Sequence, residues 1–399
     1  MKYFISLISF LYFLIPVHAE WLAFRGSLGN GSSEFAGPGK IVLKGEGSWV
    51  TQLPGRGLSS PVIANETVFL TASSGPNQET LHILAFGTED GKKLWERKFK
   101  ATGRTICHKK TCVAASTLAS DGQLLIAQFS SNDVFCLDLL GNLRWLRGLT
   151  FDHPNIANGL GMSSSPLIVG GNAIIQVEND ADSFSFGLNL TDGTTSWKKE
   201  RPRAANWTSP ISLKYKGQEI VGLQSKEGLT AIDPKTGENL WAYQDGASTM
   251  SSSTWTKENI LLIPSNGLTA IKLNSNMLEF EQIWRENKLK PGTGSPSSKD
   301  GKVYVVNNAN VLTCASVQTG EIIWRLRLEG PISSSSVLGG HYLFVFSETG
   351  LGQIVDLRDE SPRVIHSVNL DDTILCTPAV SRGSIFVRSD AKLWKLVGI

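Results

Sequence analysis

Apolar and polar residues alternate with a period of two along most of the chain. The runs GLTAID (Gly228–Asp233) and GLTAIK (Gly267–Lys272) show the pattern most plainly. Such alternation marks strands with one face buried, and no stretch carries the 3.6-residue period of an amphipathic helix. A turn-forming glycine closes each alternating run, and a tryptophan follows it four residues later at Gly91/Trp95, Gly141/Trp145, Gly193/Trp197, Gly237/Trp241 and Gly320/Trp324. A sixth tryptophan, Trp284, ends a hairpin whose turn (Asn274, Ser275, Asn276) is longer. Asp90-Gly91, Asp192-Gly193 and Thr236-Gly237 suit tight hairpins, because glycine takes a positive φ at little cost.

Successive tryptophans from Trp95 to Trp324 stand 40 to 52 residues apart. A nearly fixed period of four short strands is the signature of a β-propeller blade. Meanders are expected over about 59–99, 114–149, 163–201, 207–244, 251–286, 294–328 and 333–370. Most open on small residues: SSPV at Ser59, SSPL at Ser164, TSPI at Thr208, SSST at Ser251 and SSSS at Ser333. Such residues fit the crowded innermost strand. The tryptophan strand is expected outermost, with Trp49, Trp95, Trp145, Trp197, Trp241, Trp284 and Trp324 wedged between blades. The seventh unit has His366 and no tryptophan. The final segment, Cys376–Ile399, is one strand short, while GSWVTQLPG (Gly47–Gly55) is one strand over. Joining them closes the ring and hides two sheet edges. The expected fold is all-β: an eight-bladed β-propeller of four-stranded antiparallel blades, closed by an N-terminal strand. Seven blades is the alternative.

Residues 1–19 read as a signal peptide, with Lys2, an apolar stretch from Tyr3 to Val17 and a small-residue cleavage site at Val17-His18-Ala19. An uncleaved anchor is the competing reading. The division is then 1–19 signal, 20–46 a Gly- and Ser-rich extended arm, and 47–399 propeller. The mature chain is expected to be exported to the periplasm or beyond, soluble and without a transmembrane segment. Lipidation would need a cysteine just after cleavage, but the first is Cys107. A formal net charge of +2 without charge runs argues against nucleic acid or an anionic membrane as partner.

Of the five cysteines, Cys107 and Cys112 (CHKKTC) are placed to close a small disulfide loop; a metal site with His108 between the thiols is the sharper alternative. Cys136, Cys314 and Cys376 read as small buried hydrophobes. In ENDAD, Glu178, Asp180 and Asp182 alternate, so one face of a strand or loop offers three carboxylates to calcium; a solvated loop is the other reading. Asn206 and Trp207 precede an inner strand and are placed to face the same funnel. Two long connections carry recognition side chains: Arg104, His108, Lys109 and Lys110 in the first, Asp152, His153, Asn155 and Asn158 in the second. They are expected to converge on one face, as propeller loops do. Arg25 is expected to pack across the ring closure. The run GTEDGK (Gly87–Lys92) lacks the helix a phosphate loop needs, and Ser163–Ser165 lack the setting of a nucleophile elbow.

The strand–turn–Trp units, with the openings WLAFRG (Trp21–Gly26) and PGRGLSSPV (Pro54–Val62), resemble the PQQ-like (pyrroloquinoline-quinone repeat) eight-bladed propeller family. The stretch Ser163–Ile211 looks like the exported propellers of planctomycete-type bacteria. The resemblance implies the fold over the whole mature chain. One branch, the quinoprotein dehydrogenases, holds its quinone under a disulfide between adjacent cysteines, with a tryptophan floor, calcium and a catalytic aspartate; this chain has no adjacent cysteines. The other branch, the propeller lipoprotein of the outer-membrane assembly machine, is a protein-binding scaffold and matches in size and blade count. The expectation is an exported, non-catalytic scaffold, monomeric, binding a protein or an extended ligand on a loop-lined face. No cofactor is expected, pyrroloquinoline quinone included, and calcium is the one metal the carboxylates suggest. The alternative is a divergent quinoprotein-type oxidoreductase or a calcium-dependent enzyme.

Overall fold

A computed structural model describes residues 21–156, 159–358 and 361–398. The proposed signal peptide and Asn158 lie outside the described residues. Eight separate sheets, each built on four antiparallel strands, make an eight-bladed β-propeller. Among the described residues the one helical turn is Leu149–Asp152.

Blade four shows the plan. Its strands run Ile211–Tyr215, Gln218–Ser225, Gly228–Ile232 and Asn239–Tyr243, paired in sequence order from axis to rim. Trp241 sits on the outer strand directly opposite Ala231, and a bulge follows. The same register places Trp95 opposite Ala85, Trp145 opposite Cys136, Trp197 opposite Gly187, Trp284 opposite Ala270 and Trp324 opposite Cys314. The small partner leaves room for the indole, which explains why Cys136 and Cys314 are fully buried.

Each indole then reaches into the next blade. Trp49, Trp95, Trp145, Trp197, Trp241 and Trp284 donate from Nε1 to the carbonyls of Thr88, Leu139, Leu190, Pro234, Met277 and Val317, at 2.8 to 3.1 Å. Five of these rings lie flat against the turn glycine of the neighbouring blade. A Cβ at Gly91, Gly141, Gly193, Gly237 or Gly320 would come within 2.6 to 2.8 Å of indole carbon. All five glycines also have positive φ, so the position excludes a side chain twice over. Between blades four and five the turn has no glycine, and Met277, whose carbonyl accepts from Trp241, carries the positive φ of 59. In blade seven His366 stands at the tryptophan position, opposite Ile354, and its Nε2 lies 2.8 Å from the Ile41 carbonyl. An imidazole thus makes the contact an indole makes elsewhere.

Ring closure follows the expected route. Trp49–Gln52 pairs antiparallel with Lys392–Gly398 and completes the eighth sheet. Ile41–Val42 pairs with the far end of the same strand, and Ser32–Ser33 runs parallel to Val337–Gly339 in blade seven.

The arm is bound along its length. The carbonyls of Trp21 and Leu22 accept from Ile63 in blade one and Ser120 in blade two, and those of Asn30 and Gly31 accept from Ser298 and Leu338. Between these anchors Arg25 reaches blades five and six, donating to the Ser253 carbonyl, the Thr254 hydroxyl and the Pro296 carbonyl. The arm therefore crosses one end of the axis, and Arg25 packs opposite the ring closure rather than across it. Burial pushes the Arg25 guanidinium down to about 9, so it still carries its charge at neutral pH.

Candidate functional site

The small-residue stretches meet on the axis. The backbone N–H of Ser60 donates to the hydroxyl of Thr117, Thr117 to Ser165, Ser165 to Ser209, Ser209 to Ser252, Ser252 to Ser295, Ser295 to Ser335 and Ser335 to Thr377. These seven links, one residue from each blade, span 2.9 to 3.1 Å. A buried N–H without a partner is costly, so a hydroxyl one blade further on answers it. In five blades the next residue is proline (Pro61, Pro166, Pro210, Pro296, Pro378), which has no N–H to satisfy. In blade five that residue is Ser253, and its N–H goes to Gln224 Oε1.

The ring of hydroxyls lines a cavity of ≈ 410 Å³. Phe24 of the arm contributes to its wall, and the arm's crossing of the axis makes it a blind funnel rather than a through-channel. Leu58, Leu160, Trp207, Met250 and Leu375 form its apolar collar, with His108 and Lys110 beside them; no carboxylate lines it. Its mouth opens among the long loops. The His108 amide donates to the Leu160 carbonyl at 2.9 Å. Trp207 donates from Nε1 to the Gly161 carbonyl at 2.8 Å, and from its backbone to Thr249. Gly161, at φ 85, lets the two long loops touch, since a Cβ there would lie 2.8 Å from that of Cys107. Lys110 reaches over to blade seven, where its Nζ lies 2.9 and 3.0 Å from the Glu348 oxygens. Burial opposes the charge on Glu348, but the Ser333 hydroxyl and Lys110 outweigh it and hold that carboxyl below its usual range. Ile106, Leu160, Met250 and, on the second loop, Phe151 are large apolar side chains left exposed.

Of the residues singled out in the sequence, His108 and Trp207 meet in the funnel lining. Arg104 and Asn155 are exposed on the two loops. His153 turns away and stacks on Phe184 and Phe186 at 4.9 and 5.5 Å. Burial, helped by Lys198, lowers its pKa, so it packs as a neutral ring.

The ENDAD carboxylates do not converge. The strand ends at Val177, and Asn179 caps a turn by accepting from the Ala181 amide, so the alternation that would align them is lost. Glu178 is buried, with Oε1 2.7 Å from Arg201 Nε and Oε2 accepting from Asn206. Burial raises its pKa against the pull of Arg201. Asp182 pairs with Arg203 at 3.3 Å, and Asp180 is exposed. Asn206 therefore belongs to a buried ion pair and not to the funnel. Among the described residues no three His, Cys, Asp or Glu side chains form a metal site. Cys107 and Cys112 are free thiols rather than the expected disulfide. Burial pushes Cys112 up to about 12, which leaves it unreactive.

Phe24 and the hydroxyl ring were not read from the sequence as site residues. Phe24 gives no signal, being one aromatic in a Gly- and Ser-rich arm. The hydroxyls were visible as repeated small residues, but their link from blade to blade was not.

The family model described as outer membrane protein assembly factor BamB matches residues 36–179, 157–260 and 279–397. The chain belongs to this family. The BamB structure from Moraxella catarrhalis superposes with a TM-score of 0.64 at 16% identity, over 88% of this chain and 98% of that one. A europium-containing methanol dehydrogenase gives 0.74 at 12% identity, over 95% and 98%. The quinohemoprotein alcohol dehydrogenase from Comamonas testosteroni gives 0.69 at 11%, over 95% and 80%. At these identities the likeness is one of fold. No curated protein matches the sequence. BamB-family membership accounts for the propeller, and no helix among the described residues is long and apolar enough to cross a membrane. The funnel does not fit a quinone held with a metal: its lining offers no carboxylate, and the two nearby cysteines are separate thiols.

Proposed function

We propose that this chain is an exported, envelope-located scaffold whose funnel takes up an apolar segment of a partner protein. The observation that carries the reading is a blind, apolar-collared cavity that opens among exposed apolar loop residues. A closed end suits a loop tip or chain end that enters and stops, and it excludes threading. Apolar side chains around a concave, preformed site are the usual source of binding energy. Family membership supports a protein partner, and the apolar stretch at 3–17 supports export.

A photo-reactive amino acid at Leu160 tests this in the native envelope. The expected result is cross-linking to one protein through a contiguous apolar segment, abolished by Met250→Glu. Cross-links scattered over many proteins, or unaffected by Met250→Glu, would contradict it.

A further inference from the structure

Blade one carries a group of polar side chains that neither the rim contacts nor the funnel uses. Ser74 ends the strand Thr67–Ser74, His82 lies in Thr80–Gly87 and Glu96 in Lys93–Lys100. In register, Ala72 faces His82 and Leu84 faces Glu96. The three residues thus step diagonally across one face of the sheet. Ser74 Oγ lies 2.7 Å from His82 Nε2, and His82 Nδ1 lies 2.8 Å from Glu96 Oε1.

The direction of these hydrogen bonds follows from charge. Burial works against an ionised Glu96, but hydrogen bonds from Lys93 and His82, with the charges of Lys93 and Lys98, outweigh it and hold the carboxyl below its usual range. An ionised Glu96 only accepts, so the proton in this hydrogen bond sits on His82 Nδ1. Nε2 then presents its lone pair to the Ser74 hydroxyl. His82 is 3% exposed and the Glu96 side chain 13%, whereas Ser74 is half-buried at the start of a turn. The group grades from solvent inwards in the order hydroxyl, imidazole, carboxylate. Gly75 follows Ser74 directly at φ 95, and the Glu79 carboxylate stands beside it, its two oxygens 2.6 Å from where a Cβ would lie.

We propose that Ser74 is a nucleophile activated by His82 and oriented by Glu96, accepting an acyl group from a small ester. Ser74 Oγ bonds to the ester carbonyl carbon as its proton passes to His82 Nε2. The C–O bond to the alcohol breaks and the leaving oxygen takes the proton from Nε2. Water then attacks the acyl carbon, giving its proton to Nε2; the bond to Oγ breaks, the acid departs and Oγ recovers the proton. Ser74 and His82 are the catalytic residues, and Glu96 is a positioning residue.

The test is p-nitrophenyl acetate with the full mature protein, reading nitrophenolate release and acetylation of the peptide containing Ser74. Release and labelling are expected to vanish in Ser74→Ala and persist in the neighbouring Ser73→Ala. His82→Asn is expected to slow acylation about 10²–10⁴-fold. Glu96→Gln should lower the acylation rate constant with the saturation constant unchanged, and it serves as the second variant if His82→Asn fails to fold. The proposal is overturned if Ser74 is acetylated no faster than in the unfolded chain, or if the folded His82 and Glu96 variants react at the parental rate. Ser74 is outside the funnel lining, so either outcome leaves the scaffold reading standing.

Discussion

The rim and the axis of this propeller are built on different terms. At the rim one contact is repeated: an indole opposite a small residue, lying on the next blade's turn and bonded to its backbone. At the axis two devices coexist. The hydroxyl ring is repeated, but the funnel it frames is finished by residues that occur once: Phe24, Leu160, Trp207, Met250 and Leu375. The difference teaches where sequence freedom lies. Each rim contact is fixed by two blades at once, so its residue types recur. Collar residues such as Leu160, Met250 and Leu375 take part in no repeated contact, so they vary from blade to blade.

Breaking the frame should have the largest effects. Deleting residues 21–55 removes the closing strand, exposes two sheet edges and takes away Arg25 with its bonds to blades five and six; thermal melting should fall by on the order of 10–20 °C or lose cooperativity. Next comes Trp197→Ala, which removes a buried ring and its bond to Pro234; denaturant unfolding should show a loss of about 3–5 kcal/mol. Gly193→Ala drives a Cβ towards Trp145 at a left-handed position, and about 2–4 kcal/mol should go the same way. At the axis, Ser209→Ala leaves the buried Ser165 N–H without its acceptor and should cost about 1–3 kcal/mol. Trp207→Ala sharpens the contrast from the other side: stability should change by about 1 kcal/mol or less, while cross-linking from Leu160 is lost.

The frame was legible in the sequence because it is periodic. The Gly-to-Trp spacing gave the blades, and the missing and surplus strands at the two ends gave the closure. Two substitutions within the pattern were not legible as equivalents. Met277 reaches a positive φ where a glycine is usual, and His366 supplies a ring nitrogen where an indole is usual. The arm read only as an extended segment because its contacts are made mostly through the carbonyls of Trp21, Leu22, Asn30 and Gly31, which composition does not reveal. At the site, His108 and Trp207 were legible from loop length and position. The ENDAD run misled, since strand alternation was assumed past Val177, where Asn179 turns the chain and Arg201 claims Glu178.

The central claim is that the funnel collar can change without the frame, and that the collar binds. The most direct test combines two readings on one variant, Leu160→Glu with Met250→Glu: melting temperature, and partner capture by a photo-reactive residue at exposed Ile106. The account predicts melting within roughly 3 °C of the parent, together with loss of the captured partner. A large drop in melting, or a partner still captured at the parental level, would contradict it.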